Sequence, residues 1–384
     1  MFALNKKKLL VLLILVPVFI SFSPGGQIGL DRVGGVASPY LLTLPISFFA
    51  IVILLFKFSE QIFQDKILVI FILYSIAVFF IGSIYNGALN FGLLKTLIWM
   101  NVFVSLLTVF KHYFRLNYYS LEHSLKIERF IVFSYFSILV LTWLSFFAYG
   151  RNSFIFPSMK IYNFEQYFAF IFIPLIAIIG SYSFILFIIG CILTIGIAIL
   201  SVNVTALLIL LVVMSLVTGS YFMRFIKTKI IYQLTIFVSI SFAIFWIFTL
   251  PYWADSTGMS SLTIRADNIN SYFDNIKWYS IIFPFLHSSR GVHFDMHNEL
   301  LEVFNAVGIL GLLLFYYLYL RVLRNFSEKY RIMRLTFVFS IFISGSTLEL
   351  TLHVYTLIVF SFMSAFYEYL SNQSDLQIQS VRKN

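Results

Sequence analysis

Apolar residues dominate the chain in long unbroken runs, and short polar stretches punctuate them. Twelve such runs are read, at roughly 9–23, 40–57, 67–84, 91–110, 129–149, 165–181, 183–200, 203–223, 230–250, 298–320, 334–348 and 350–370. Most approach the ~20 residues that a helix needs to cross a bilayer. They lack the two-residue alternation of a membrane barrel, whose strands run to about 10 residues. The pattern predicts an all-α polytopic membrane helical bundle of about 12 transmembrane helices, with residues 1–384 forming a single integral membrane domain. The first run follows Lys6-Lys7-Lys8, as in a signal peptide. It ends at Ser23-Pro24-Gly25-Gly26 with no small-x-small cleavage pattern, so it is read as an uncleaved first helix.

One polar interval is long. Residues 251–297 open with Pro251 and are rich in Ser, Asp, Asn and Tyr, and a connection of that length is more often functional than filler. A shorter polar segment, 150–163, carries Arg151 and Lys160.

Composition agrees with the pattern. Of the 384 residues 60% are hydrophobic and 11% charged, and the mean hydropathy is +0.94. A soluble enzyme or a disordered chain needs far more polar surface. The single cysteine, Cys191, lies in an apolar run and is read as packing; alone it forms neither an intramolecular disulfide nor a cysteine-based metal site.

The formal charge is +10, from 26 basic and 16 acidic side chains. In a soluble protein this would suggest nucleic acid, whereas here position decides. With the N-terminus in the cytoplasm, 19 of the 26 basic residues fall in cytoplasmic segments, among them Lys111, Arg115, Arg321, Arg324, Arg331 and Arg334. This is the positive-inside distribution. It predicts both termini in the cytoplasm and the long loop outside, and leaves no contiguous basic domain for nucleic acid. The basic residues on the outer side are Arg32, Arg151, Lys160, Arg265, Lys277 and Arg290, with Lys95 near the outer end of a span.

Candidate chemistry gathers in that loop. It holds Arg265, Lys277, His287, Arg290, His293 and Asp295, and leads into His297-Asn298-Glu299 at a helix start. Three of the six histidines fall within eleven residues. Histidine accepts protons near neutral pH. Arginine clamps phosphate through two parallel hydrogen bonds, and a helix N-terminus favours anions. The set suits attack by a hydroxyl on carbon with a phosphate leaving. Plainer roles remain open: solvated or capping histidines, Asn298 as the N-cap, interfacial arginines, and a snorkelling Lys95. Glu349 and His353, at i and i+4, share a helix face and pair structurally or join a site. There is no Walker-type phosphate loop and no Asp-x-Asp cluster.

The run His297-Asn298-Glu299-Leu300-Leu301-Glu302, followed by Gly308-Ile309-Leu310-Gly311-Leu312, resembles the signature of the O-antigen ligase and Wzy-type O-antigen polymerase superfamily. Arg265-Ala266-Asp267-Asn268 is similar to the superfamily's loop arginine, with Trp278 and Pro284 in its aromatic and proline places, and Arg290-Gly291 resembles the segment before the histidine. The motif covers about 50 residues, and the topology agrees over nearly the whole chain. One departure is that the Ser-Arg pair of the middle spans in many members is Ser201-Val202-Asn203 here, which points to another basic residue such as Arg151.

The resemblance implies a GT-C-like fold with one large periplasmic loop in the bacterial inner membrane. It also implies an enzyme, a glycosyltransferase that needs no metal or other cofactor. The donor would be an undecaprenyl-diphosphate-linked oligosaccharide in the surrounding membrane lipid. Arg265 and Arg290 would neutralise the leaving diphosphate and His297 would deprotonate the acceptor hydroxyl. Arg151, Lys160, Lys277, His293, Asn298, Glu299 and Lys95 would contact substrate. The activity expected first is that of a surface-polysaccharide polymerase working with a chain-length regulator and a flippase. A ligase that transfers the finished chain to lipid A–core is the sister activity, and a non-catalytic transporter is the alternative of another class.

Overall fold

The computed structural model describes residues 11, 13, 39–87, 91–116, 121–149, 183–200, 204–219, 228–257, 260–282, 298–327, 330–345 and 354–383. Its helices are α1 (Pro39–Lys57), α2 (Ser59–Gln64), α3 (Lys66–Asn86), α4 (Phe91–Leu116), α5 (Leu121–Tyr149), α6 (Phe184–Leu200), α7 (Val204–Gly219), α8 (Thr228–Thr257), α9 (Ser260–Asn275), α10 (Glu299–Arg324), α11 (Arg331–Gly345) and α12 (Val354–Lys383). A 3₁₀ turn, η1, spans Trp278–Ile281. Among the described residues there is no strand. Ten of the twelve predicted runs coincide with helices; the runs 9–23 and 165–181 lie outside the described residues, apart from Val11 and Leu13. Lys66–Tyr85, Leu93–Leu116, Lys229–Ser256 and Glu299–Arg324 are long and apolar enough to cross a membrane.

Helix α4 is the central post. Phe103, Phe110 and Phe114 on it are fully buried, and α12 packs along its length through Phe362 and Phe366. Helices α3 and α10 cover its other side, where Phe71, Phe103 and Phe315 meet. Helix α11 links this group to α8 and α7, and α7 leads on to α6 and α5. Cys191 is buried on α6.

One end of the bundle is basic and fastened by ions. Glu368 of α12 is buried and accepts from Lys111 Nζ at 2.8 Å and from Asn325 Nδ2 at 2.8 Å, with Arg115 at 3.7 Å. Asp65, between α2 and α3, takes both guanidinium nitrogens of Arg321. Arg334 lies 5.0 Å from the Tyr232 ring centroid and donates to the Phe326 carbonyl at 3.1 Å. Buried charges persist where they are paired and hydrogen-bonded. These contacts tie α3, α4, α8, α10, α11 and α12 together at this end of the bundle.

The segment 251–297 is partly helical. Helix α8 continues through Pro251 to Thr257, so the residue read as the loop's beginning lies inside a helix. Proline sacrifices one intrahelical bond there. Helix α9 then folds back on α8, burying Ala266, Ile269 and Tyr272 against Ile247, Leu250 and Ala254. Their spacing of three is a helical stripe. It was concealed by the many polar residues between.

Candidate functional site

Helix α10 starts where the histidine-rich segment ends. Asn298 has extended backbone, and its side-chain oxygen accepts from the Leu301 N–H at 3.1 Å, so it is the N-cap. Asn298 is 2% exposed and Glu299 is fully buried, which removes both from direct view of solvent.

The helix does not run straight from there. Gly308 has φ 66° and ψ −174°, a backbone state open essentially to glycine alone, and it breaks α10 into Glu299–Val307 and Ile309–Arg324. The fold at the break is sharp. The Tyr316 hydroxyl donates to Glu299 Oε1 at 3.4 Å, across 17 residues. In a straight helix those residues would stand about 25 Å apart. A tyrosine and a glutamate reaching toward each other cover about half of that distance. The short leg therefore lies back over the long one. Gly311 shows the same closeness: a Cβ placed there would come within 2.3 Å of the Val307 Cβ. A break inside an apolar bundle frees backbone carbonyls that need donors. Tyr74 of α3 supplies one, donating its hydroxyl to the Val307 carbonyl at 2.9 Å.

The run 298–320 was expected as one continuous span. Instead the break carries its first residues inward, to the level of Tyr316 and of Gly345 on α11. Tyr316 stands about 12 Å along the helix from Arg324, and Gly345 about 21 Å from Arg331. Glu299 thus lies alongside the middle of the bundle's apolar helices and not at their end.

An apolar cavity of about 750 Å³ lies beside this fold. Helix α8 supplies Ile244, Ile247 and Phe248, α9 supplies Phe273, and α10 supplies Leu313 and Tyr316. Phe273 stacks on Phe248 at 5.9 Å and roofs one end. Leu300, Leu301 and Phe304 of the short leg also face the cavity, so it runs up to the turn that bears Asn298 and Glu299.

The remaining predicted residues fall as follows. Arg265 is half-buried on α9, beside Ala266, which faces the α8 core. Lys277 is exposed at the start of η1, with its ammonium 5.9 Å from the Tyr279 ring centroid. Trp278 follows it and is strongly exposed. Lys95 is exposed in the first turns of α4. His297, Arg290, His293, His287, Asp295, Arg151, Lys160, Pro284, Ser201, Val202, Asn203, Glu349 and His353 lie outside the described residues. Sequence reasoning missed Tyr316 and Tyr74. The Gly308-x-x-Gly311 spacing was visible; what the two glycines do was not.

No protein-family model, curated protein or solved structure matches the chain. The functional reading therefore rests on the site's own residues and geometry.

Proposed function

We propose that the chain is a membrane-embedded glycosyltransferase, a surface-polysaccharide polymerase of the O-antigen kind with a GT-C-like architecture. In this reading it moves a growing glycan from one undecaprenyl diphosphate to the next lipid-linked repeat unit at the periplasmic face of the inner membrane. The observation that carries the reading is the break at Gly308, which sets the start of α10 at Asn298 and Glu299 beside an apolar cavity, directly after His297 in the sequence. A polyprenyl-linked sugar needs both features, a groove for its tail and polar chemistry at the groove's end. Pockets that hold organic ligands are of this size, mostly apolar with few polar groups.

The chemistry follows from residue types. The acceptor hydroxyl oxygen attacks the anomeric carbon, the bond from that carbon to the diphosphate oxygen breaks, and the hydroxyl proton passes to His297. Negative charge grows on the departing diphosphate. Arg265 and Arg290 neutralise it, and two guanidiniums suit a diphosphate geometrically. Configuration at the carbon inverts. The capped start of α10 adds the positive end of a helix dipole.

The test is a deletion strain complemented with variants. With a polymerase missing, surface lipid carries a single repeat unit and no long polymer. Loss of all attachment, with lipid-linked polymer accumulating, identifies a ligase instead. Full complementation by both His297→Ala and Arg265→Ala defeats the catalytic reading, and transport of lipid-linked glycan in liposomes by those variants identifies a transporter.

A further inference from the structure

We propose that the η1 tip, Trp278–Ile282, is a membrane-interface anchor, seated among the headgroups and upper acyl chains of the leaflet on the α9 side of the bilayer. The first support is its level. Helix α9 runs back along α8, and Phe273 near its end stacks on Phe248. Phe248 lies seven residues before Asp255, the first charged side chain after the apolar run of α8. The end of α9 therefore stands about 10 Å back from that charge, toward the membrane. On this stretch of α8 the exposed side chains Phe245 and Phe248 are apolar, and exposed Tyr252 and Trp253 follow them. Tyrosine and tryptophan collect at the boundary between membrane and water. The fold-back thus delivers the segment after Phe273 to the depth of that boundary.

The second support is a change of surface. Helix α9 exposes Asp267, Asn270 and Asp274, as a helix beside water does. After Lys277 the exposed residues turn apolar: Trp278, Ile281 and Ile282 are 78%, 41% and 44% exposed. The tip is held in place while it presents them. Ser280 N–H donates to the Lys277 carbonyl at 2.8 Å, Ser280 is buried, and η1 packs on α10. One side of the tip is thus fixed to protein, and three large apolar side chains project from the other. Water gives such a patch nothing, whereas the headgroup layer takes an indole with its apolar body in lipid and its N–H among polar groups. Lys277 fits the same layer, since its stem can follow the apolar surface while its ammonium reaches lipid phosphate. The patch also continues the lipid-facing surface of α8 at the same depth, which favours lipid over a protein partner. The anchor has two consequences for the site. It seats Phe273, a wall of the apolar cavity, against lipid. It also fixes the height of Arg265, eight residues and about 12 Å farther out along α9.

The experiment uses the full chain in lipid nanodiscs, with Cys191→Ala removing the one native thiol. An environment-sensitive fluorophore is attached at Trp278→Cys and at Ile282→Cys. The same label at Asp267→Cys, on the polar face of α9, gives the standard for water, and at Phe245→Cys, on α8, the standard for lipid. The tip labels are expected to emit to the blue of the Asp267 label, to be quenched by lipids carrying a nitroxide near the headgroup, and to be shielded from aqueous iodide. Tip labels that iodide quenches as readily as the Asp267 label lie in water and overturn the anchor. Tip labels shielded from iodide and from nitroxide lipids alike are covered by protein, which overturns it as well. Trp278 itself supplies a readout that needs no cysteine variant to fold. The emission lost between wild type and Trp278→Tyr belongs to that indole, and brominated lipids should quench it; if that share survives in brominated lipid, the anchor falls. None of these readings involves glycan transfer, so the anchor and the proposed reaction stand or fall separately.

Discussion

Tyr74 reaches from α3 to the Val307 carbonyl, one residue before the point where α10 breaks. The phenol does what the interrupted helix cannot, and it joins two helices while doing so. Tyr74→Phe is expected to cost about 1 kcal/mol, with the freed carbonyl held in apolar surroundings. Gly308→Ala forces a side chain into a glycine-only backbone state and costs about 1–3 kcal/mol. Gly311→Ala drives a methyl into Val307 and costs about as much. Thermal unfolding in detergent checks all three. Tyr74→Phe added to Gly308→Ala should cost less than the sum, because both act on one break.

The Asp65–Arg321 pair fastens the other end of α10 and is read by acid. Burial works to raise the Asp65 pKa, but the hydrogen bonds and charge of Arg321 outweigh it, and the carboxyl ends below its ordinary value. A carboxylate lowered by folding stabilises fully above its unfolded pKa and loses that contribution as pH falls through the folded value. The loss therefore starts below about pH 4 and completes at a still lower pH. Asp65 also accepts from the Leu68 N–H at 3.3 Å, which caps α3. Asp65→Asn keeps an acceptor for the cap and removes the ion pair, while Asp65→Ala removes both. The alanine variant should be less stable by about 1 kcal/mol more. Both variants should have a flatter stability profile at low pH than wild type, measured by unfolding temperature across an acid series.

Much of this architecture is written in the hydrophobic pattern. Ten of the twelve runs became helices because a run of apolar residues can satisfy its backbone in an apolar setting in few other ways. The apolar run around Cys191 allowed a lipid-facing or a helix-facing place, and the thiol takes the buried one. The site was legible only in part. Asn298 as the cap follows from residue type and place. Glu299 is buried and turned to Tyr316, a placement that hydropathy cannot reveal because it does not show that a span folds in its middle. Gly308 and Gly311 carried the signal, but a glycine in an apolar run also serves simple close packing. Helix α9 was hidden for a different reason. Its buried stripe is Ala266, Ile269 and Tyr272 alone, and Asp, Asn and Ser fill the positions between.

The cap at Asn298 has its own consequence. Its bond to Leu301 N holds the entry of the short leg. Asn298→Asp keeps the acceptor and Asn298→Ala does not. The alanine variant should lose about 1 kcal/mol of stability and the aspartate variant much less. Under the proposed chemistry, kcat falls in the alanine variant more than KM rises, because a loosened turn misplaces the base and not the tail. Steady-state kinetics on both variants, beside their unfolding temperatures, separates the two effects.

Substitutions at the head and at the tail of the proposed donor site should give opposite kinetic signatures. His297→Ala removes the proton acceptor and is expected to lower kcat by about 10²–10⁴-fold, with KM little changed. Arg265→Lys keeps a charge on α9 and loses the two-pronged hydrogen bonding to a diphosphate, so kcat falls less than in Arg265→Ala. Leu313 lines the cavity and is otherwise exposed, so Leu313→Trp narrows the groove without disturbing the core. That variant should raise KM for the long-tailed donor and leave kcat for a short-tailed donor near the wild-type value. Measuring all four variants on both donors tests the division of labour directly. A His297→Ala enzyme with normal kcat would remove the base from the mechanism. A Leu313→Trp enzyme with unchanged KM for the long tail would mean that the tail lies elsewhere.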